Sequence, residues 1–589
     1  MTAEEPNVVP EPTEPDMPDV PDAAVEPDVT VEPDAAVEPP PEDAPKAKRS
    51  GRDVAVVAGR TTAGVVVAAV AAGIAFASTL IVPPTWSIAA PAIAVAPTAA
   101  PQQLACPGGL LRLATDTGEG ASTASPIGAP TTAWTADSEL TVRGVGTTNA
   151  GTAGTGSLAE IATVAPTVEG VPAAAGLQAE VAAGGIAGLA TTSCTGPASE
   201  QWLVAGATTL GRTSLLVLTN PSAVEASVDI ELYGEDGVVS AAGLRGVRLA
   251  PDEQRVMPLN GFAVDLVAPV IRVVSTGGRV TAALQQSIQR SLATGGVDQV
   301  GAQQPSSSLV IPGVRVQAPA ELAPLDTQPV DRDDIFPILR LFAPGAAEVV
   351  ATVALIPHGA TLEDALAARE DAAAAPGDAH ADHEHDAVAE ASPRAFELTL
   401  TPGLVTEYPI EQVAAGDYTV IVTAAQPLVG AVRTSTLSAS QRIDFAWATP
   451  AAPLADHAVL ALPTIGQART PGTTATTPGA TTPLPEAATA APGSLAVPSA
   501  DGAMGYVLWL VNPGTAAASA TLTAEGGEPR AVELAPGAAT WLAVAPGSRL
   551  SLDGVRGLSA ALVGLGEGQL AQAPLQPPAQ LASEVLVRF

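Results

Sequence analysis

The chain has 589 residues and a formal charge of −35, and 47% of its residues are apolar but only 3% aromatic. Its only lysines are Lys46 and Lys48. An acidic chain so poor in lysine is not built to grip a phosphate backbone, so nucleic acid is not an expected partner. Beyond residue 48 the missing lysine also excludes a phosphate-binding Gly-Lys-Ser/Thr loop and a Ser-x-x-Lys acyl-transfer pair.

In residues 1–60, proline alternates with carboxylates up to Lys46, as in Val25-Glu26-Pro27-Asp28 and its echo Val31-Glu32-Pro33-Asp34. A segment with so little to bury and so much like charge is expected to be disordered. It reads as a solvated spacer, or as a dock for a basic cytoplasmic partner. Residues 61–82 carry no charge and follow Lys46, Lys48, Arg49, Arg52 and Arg60. As a helix they would span roughly 33 Å, enough to cross a bilayer core of about 30 Å. The basic flank places the N-terminus in the cytoplasm and everything after Pro83 outside the cell membrane, the arrangement of a single-pass protein. Ala75-Phe76-Ala77 resembles a signal-peptide cleavage site, but the preceding region, about 60 residues, is too long for that reading.

Residues 83–105 form an Ala/Pro stalk, and residues 106–199 a Gly/Ala/Thr-rich β region. Cys106 and Cys194, the only cysteines, both lie beyond the span and are expected to form a disulfide in an oxidising compartment. From Cys106 onward the pattern is short apolar runs broken by Gly, Pro and Asn, with alternation clearest at Val228, Ile230 and Leu232. Leu216-Val217-Leu218-Thr219-Asn220-Pro221 recurs as Leu339-Arg340-Leu341-Phe342-Ala343-Pro344 and as Trp509-Leu510-Val511-Asn512-Pro513. Each copy continues into an alternating strand, a strand ending before proline (Leu249-Ala250-Pro251, Leu400-Thr401-Pro402, Leu534-Ala535-Pro536) and a small-residue strand. Three β-modules are therefore expected, at 200–300, 305–445 and 456–589. The strand count and turn spacing predict an all-β chain of tandem immunoglobulin-like sandwiches. Asn-Pro reads as a strand-ending turn, because proline has no ladder donor.

Two insertions are expected to be flexible surface loops: residues 361–394 in the second module and the Thr/Pro-rich residues 470–493 in the third. The first holds the only cluster suited to a metal, His380, His383 and His385 with Asp382 and Asp386. Imidazole suits zinc, nickel or copper, but His-x-x-His-x-His is not the spacing of a helical zinc site. Weak capture is the most it predicts, and no cofactor is expected. Outside it, His358 and His457 are the only possible imidazole bases. The carboxylates Asp331, Asp333 and Asp334 read as a charged loop rather than a glycosidase pair.

The acidic tail, the single span and the β-repeats carrying Leu-x-Asn-Pro, Tyr233-Gly234-Glu235-Asp236-Gly237 and Leu249-Ala250-Pro251 resemble an uncharacterised actinobacterial membrane-anchored envelope family, domain of unknown function 5719. The resemblance covers most of the chain after Arg60 and implies an envelope role, with no functional residues to carry over. The expectation is a non-catalytic scaffold or binding module that meets envelope proteins or glycans. The alternatives are a carbohydrate-active envelope enzyme, or a transmembrane sensor acting through the acidic tail.

Overall fold

Strands form where apolar and polar side chains alternate. In Ala226–Gly234, Val228, Ile230 and Leu232 are buried while Asp229, Glu231 and Tyr233 are half-exposed. In the computed structural model such strands make up most of the described residues. The structure describes residues 92–95, 100–113, 124–148, 159–167, 172–182, 186–290, 293–317, 335–374, 391–410, 413–438, 442–465, 504–577 and 585–588. No helix among them is long and apolar enough to cross a membrane, and the apolar run 61–82 lies outside them. Residues 1–91 and 92–589 separate as two units, and all described residues belong to the second.

One strand plan recurs along the chain, and its positions are lettered a to h here. In module 1, a is Glu200–Val204, b Arg212–Asn220, c Ala226–Gly234, d Val247–Leu249, e Glu253–Pro258, f Val270–Gly277, g Thr281–Arg290 and h Ala293–Gly301. One sheet has the order a-f-c-d and the other e-b-g-h, with every pair antiparallel. Module 2 repeats it with a Ser306–Val316, b Ile338–Phe342, c Val349–Pro357, d Arg394–Leu400, e Thr406–Pro409 and h Ile443–Ala448. There f and g are a single strand, Gly416–Leu437, whose halves pair in different sheets. Module 3 repeats it again with a His457–Ala461, b Gly505–Val511, c Ala518–Ala524, d Arg530–Leu534, e Ala539–Val544, f Arg549–Asp553, g Ser559–Gly566 and h Gln569–Pro574.

The order departs from that of immunoglobulin domains. The central pairs b–e and c–f are the immunoglobulin ones. The edges are exchanged, because the entry strand lies beside f and g lies beside b, whereas immunoglobulin domains pair the first strand with the second and the last with the sixth. Alternation and turn spacing are blind to this, since both arrangements bury one face of each sheet.

The region before module 1 is a fourth, shortened copy. Its a (Gln102–Cys106), f (Ala159–Val164) and c (Leu140–Thr148) pair in the order a-f-c, and its b (Thr131–Ala136), g (Ala174–Ala182) and h (Gly188–Ser193) in the order b-g-h. Strands d and e have no counterpart among the described residues. The edge of c where d would lie is paired instead, in parallel, with strand e of module 1. Cys106, at the end of a, is bonded to Cys194, just past h, and both are buried. The chain's first and last described strands, Ala92–Val95 and Val585–Arg588, pair antiparallel.

The four h strands pack side by side around a common axis, and module 3 closes onto the first unit. A ring of four units results. In modules 1 to 3 the b strand is buried on both faces, because one serves its own core and the other the preceding unit. Leu216 and Leu218 enter the core of module 1, while Leu215 and Val217 meet Leu111 and Ala124 of the first unit. Leu339 and Leu341 do the same in module 2, with Arg340 and Phe342 turned to module 1. In module 3, Leu508 and Leu510 face inward, and Trp509 lies against Gly313 and His358 of module 2.

The insertion after strand c of module 2 begins as a helix, α1 (Leu362–Ala374), not as a loop. Thr361 caps it reciprocally: its Oγ1 accepts from the Asp364 N–H at 3.2 Å, and Asp364 Oδ2 accepts from the Thr361 N–H at 2.8 Å. Leu362, Ala365 and Leu366 wedge α1 between Ile356 of module 2 and Ala539 of module 3.

Candidate functional site

Asp444, at the start of strand h in module 2, is fully buried at the axis. Its Oδ2 accepts from the N–H of Leu189 (2.8 Å) and Leu570 (3.1 Å), its Oδ1 from that of Val297 (3.2 Å), and its own neighbour Phe445 donates as well. These four residues hold equivalent places in the four h strands, so one carboxylate gathers one backbone N–H from every unit. Burial drives its pKa well up, and the four N–H groups oppose that. Gly188 and Gly296 leave room for it: a Cβ on either would stand 2.4 or 2.7 Å from Oδ1.

Further bonds show that the h strands all run the same way. Trp447 N–H donates to Asp298 Oδ2 (2.7 Å), Thr192 Oγ1 to the Gln299 carbonyl (2.7 Å), Thr449 N–H to Gln572 Oε1 (3.2 Å) and Ser193 Oγ to the Pro574 carbonyl (2.6 Å). Their C-terminal ends therefore gather at one end of the axis. Three small adjoining crevices lie there, with room for water-sized spheres amounting to only about 20, 10 and 10 Å³. The first and second share Ser193 and Gln576, and the second and third share Thr192, Ser193, Thr195 and Gly301, so they form one groove. Its polar side chains are Thr, Ser and Gln, and the only group in it able to carry charge is His457.

His457 sits at the seam where the last module meets the first unit. Its Nδ1 lies 2.7 Å from Asp553 Oδ1 and its Nε2 3.1 Å from Asp137 Oδ2. Burial lowers its pKa, but the two carboxylates outweigh burial and raise it. Both ring nitrogens are engaged, which leaves no free nitrogen to act as a base. His358 packs against Trp509 and Trp541, with ring centroids 6.1 and 5.9 Å away, and burial lowers its pKa. His380, His383, His385, Asp382, Asp386, the carboxylates at 331, 333 and 334, and the Thr/Pro-rich insertion 470–493 lie outside the described residues.

A buried strap of backbone, Pro107–Leu111, runs between the first unit and module 1, held mainly by side chains, with the Leu110 carbonyl also accepting from the Ile127 N–H at 3.0 Å. Gln178 Oε1 accepts from the Gly108 N–H (3.1 Å) and Glu180 Oε2 from the Leu110 N–H (2.7 Å). Gln285 bonds both backbone groups of Leu111 (2.9 and 2.6 Å), and Gln254 donates to the Pro107 carbonyl (2.7 Å). Gln299 donates to the Gly108 carbonyl (3.3 Å). Sequence reasoning missed these glutamines, although Gln285-Gln286 inside an apolar strand was a signal: a buried amide needs a partner.

Arg340, only 2% exposed, locks module 2 to module 1. It donates to the carbonyls of Gly206 and Pro269 (both 3.0 Å) and Val267 (3.2 Å), pairs with Glu407 at 2.8 Å, and lies 4.4 Å over the Trp447 ring.

The class these features define is a ring of β units, keyed at its axis and open in an uncharged groove at one end. The chain belongs to a family of unknown function, DUF5719, whose model matches residues 148–497, more than half of the chain. No curated protein and no solved structure matches it.

Proposed function

We propose that this protein is a non-catalytic binding scaffold of the cell envelope, anchored by residues 61–82 with its N-terminus in the cytoplasm and its tandem β-sandwiches outside. The sandwiches share the central b–e and c–f pairing of immunoglobulin-like domains. The observation that supports the reading is the locking of four β units into one body by buried groups, Asp444 and Arg340 foremost, whose polar atoms bond backbone groups of neighbouring units. A preorganised surface loses little entropy when it binds, and this favours recognition of envelope proteins or glycans. The disulfide suits an oxidising compartment.

Protease added to intact protoplasts should digest the chain beyond Pro83 and spare an N-terminal fragment, and the full-length protein should co-sediment with isolated envelope. A shortened soluble form in the medium would contradict the anchor. Turnover of envelope glycan by the purified protein would replace the scaffold by an enzyme.

A further inference from the structure

We propose that the rim of the first unit, where strands d and e are missing, accepts an extended β-strand of a partner protein alongside strand b, Thr131–Ala136. This rests on the scaffold reading and names the kind of partner.

In modules 1 to 3 an e strand lies antiparallel on b: Glu253–Pro258, Thr406–Pro409 and Ala539–Val544. Because the h strands stand at the axis, the order h-g-b-e puts e at the rim of the ring. In the first unit b ends its sheet, with g on one edge and no ladder partner on the other among the described residues. The chain is too short there to supply both missing strands: only residues 149–158 separate strands c and f, where module 3 lays d and e within residues 525–548. The open edge is also undefended. Thr131-Thr132-Ala133-Trp134-Thr135-Ala136 contains no charge and no proline, the usual guards of a sheet edge.

The interior beside that edge is left uncovered. In module 1 the inward residues of strand c, Val228, Ile230 and Leu232, are buried, whereas Val142 of the first unit's c is 44% exposed. Leu140, on the same face as Val142, and Trp134 and Ala136 of b are only half-buried. Trp134 Nε1 donates to Glu160 Oε2 at 3.0 Å, so one carboxylate stands in this wall. A strand laid on b would meet apolar side chains and one negative charge, which suits an apolar inner face and excludes an acidic one. The molecule already completes this unit from outside itself, because the far end of strand c, Gly146 to Thr148, is paired by strand e of module 1. Strand addition on b continues that interface. A second copy fits less well: antiparallel pairing of two b strands would turn one ring upside down, while copies anchored in one membrane stand the same way up.

The test uses the full-length protein in detergent and a fluorescently labelled peptide of residues 536–549, which contains the chain's own e strand Ala539–Val544, followed by anisotropy. The same peptide carrying Thr540→Pro and Leu542→Pro, which cannot pair along a strand, is the control. Saturable binding of the first peptide alone is expected, with hydrogen exchange slowed at residues 131–136 and unchanged at strand d of module 3, another sheet edge. Neighbouring residues of an antiparallel strand direct their N–H groups to opposite edges. Of Thr132→Pro and Ala133→Pro, one therefore strips a donor from the open edge and leaves the pairing with g intact. The variant that keeps the wild-type melting temperature should bind about tenfold more weakly, the worth of one or two hydrogen bonds. Val142→Glu, which adds a second carboxylate to the wall at an exposed position, should weaken binding similarly, and it decides alone if both proline variants unfold. No saturable binding by the folded wild type, exchange at residues 131–136 that is already slow without peptide, undiminished binding by the folded variants, or a concentration-dependent dimer that competes with the peptide would overturn the proposal. Absence of peptide binding while the protein still co-sediments with envelope would refute the strand site alone; loss of both would refute the scaffold as well.

Discussion

Asp444 shows how one side chain can hold a whole architecture. Its four N–H partners belong to strands that share no sheet, so it stands in for backbone pairing that the ring geometry prevents. Asp444→Ala leaves those donors buried without an acceptor, at about 1–3 kcal/mol each before relaxation. The urea midpoint should drop sharply, and Asp444→Asn should fall between, because its amide turns a donor toward donors. Glu180 and Asp298 supply a pH test. Burial, opposed by the Leu110 N–H on one and by the Trp447 and Gln299 N–H groups on the other, pushes both up to about 7. With folded pKa values above the unfolded ones, the folded state retains protons that the unfolded state has lost. Unfolding free energy should therefore fall as pH rises from about 4 to about 7 and then level, by roughly 3–4 kcal/mol per group. Denaturation curves at pH 5 and pH 8 check the sign, and Glu180→Gln should reduce the difference.

At the scale of the element, the repeated Asn-Pro is more than a turn. Asn220 Nδ2 donates to the carbonyls of Val224 (2.8 Å), Leu249 (3.1 Å) and Ala250 (3.1 Å), and its Oδ1 accepts from the Ser222 N–H (3.0 Å). Asn512 repeats this on Ala516, Leu534 and Ala535, and accepts from the Gly514 N–H. Two motifs that were legible separately, Leu-x-Asn-Pro and Leu-Ala-Pro, are thus donor and acceptor of one staple between the b–c loop and the end of strand d. Module 2 has Ala343 at this place and does without it. Asn220→Ala and Asn512→Ala should each cost about 2 kcal/mol, measured as a shift in thermal midpoint. Pairing along one strand is local and readable, whereas the partner of a side chain some 30 residues on is not. The α1 cap at Thr361-Leu362-Glu363-Asp364 was a readable signal, obscured by the acidic composition around it.

At the scale of the molecule, the family match to 148–497 begins at the end of strand c in the first unit and stops before strand b of module 3. Its limits are not those of the ring. A chain lacking residues 100–199 would lose the first unit, the disulfide and the seam partner Asp137 of His457, and would expose Leu215 and Val217 of module 1. It should aggregate or melt well below the full chain in calorimetry, whereas three independent modules would melt unchanged. The sequence by itself determined the strand-rich class, the three-fold repeat, the cysteine pair and the apolar run 61–82, because period, composition and spacing are properties of consecutive residues. Only the tertiary structure decided the edge exchange within each sandwich, the fourth copy before residue 200, the ring and its groove. Those depend on which strand edges and which second faces meet, and a strand buried on both sides carries no mark of its neighbour in its own residues.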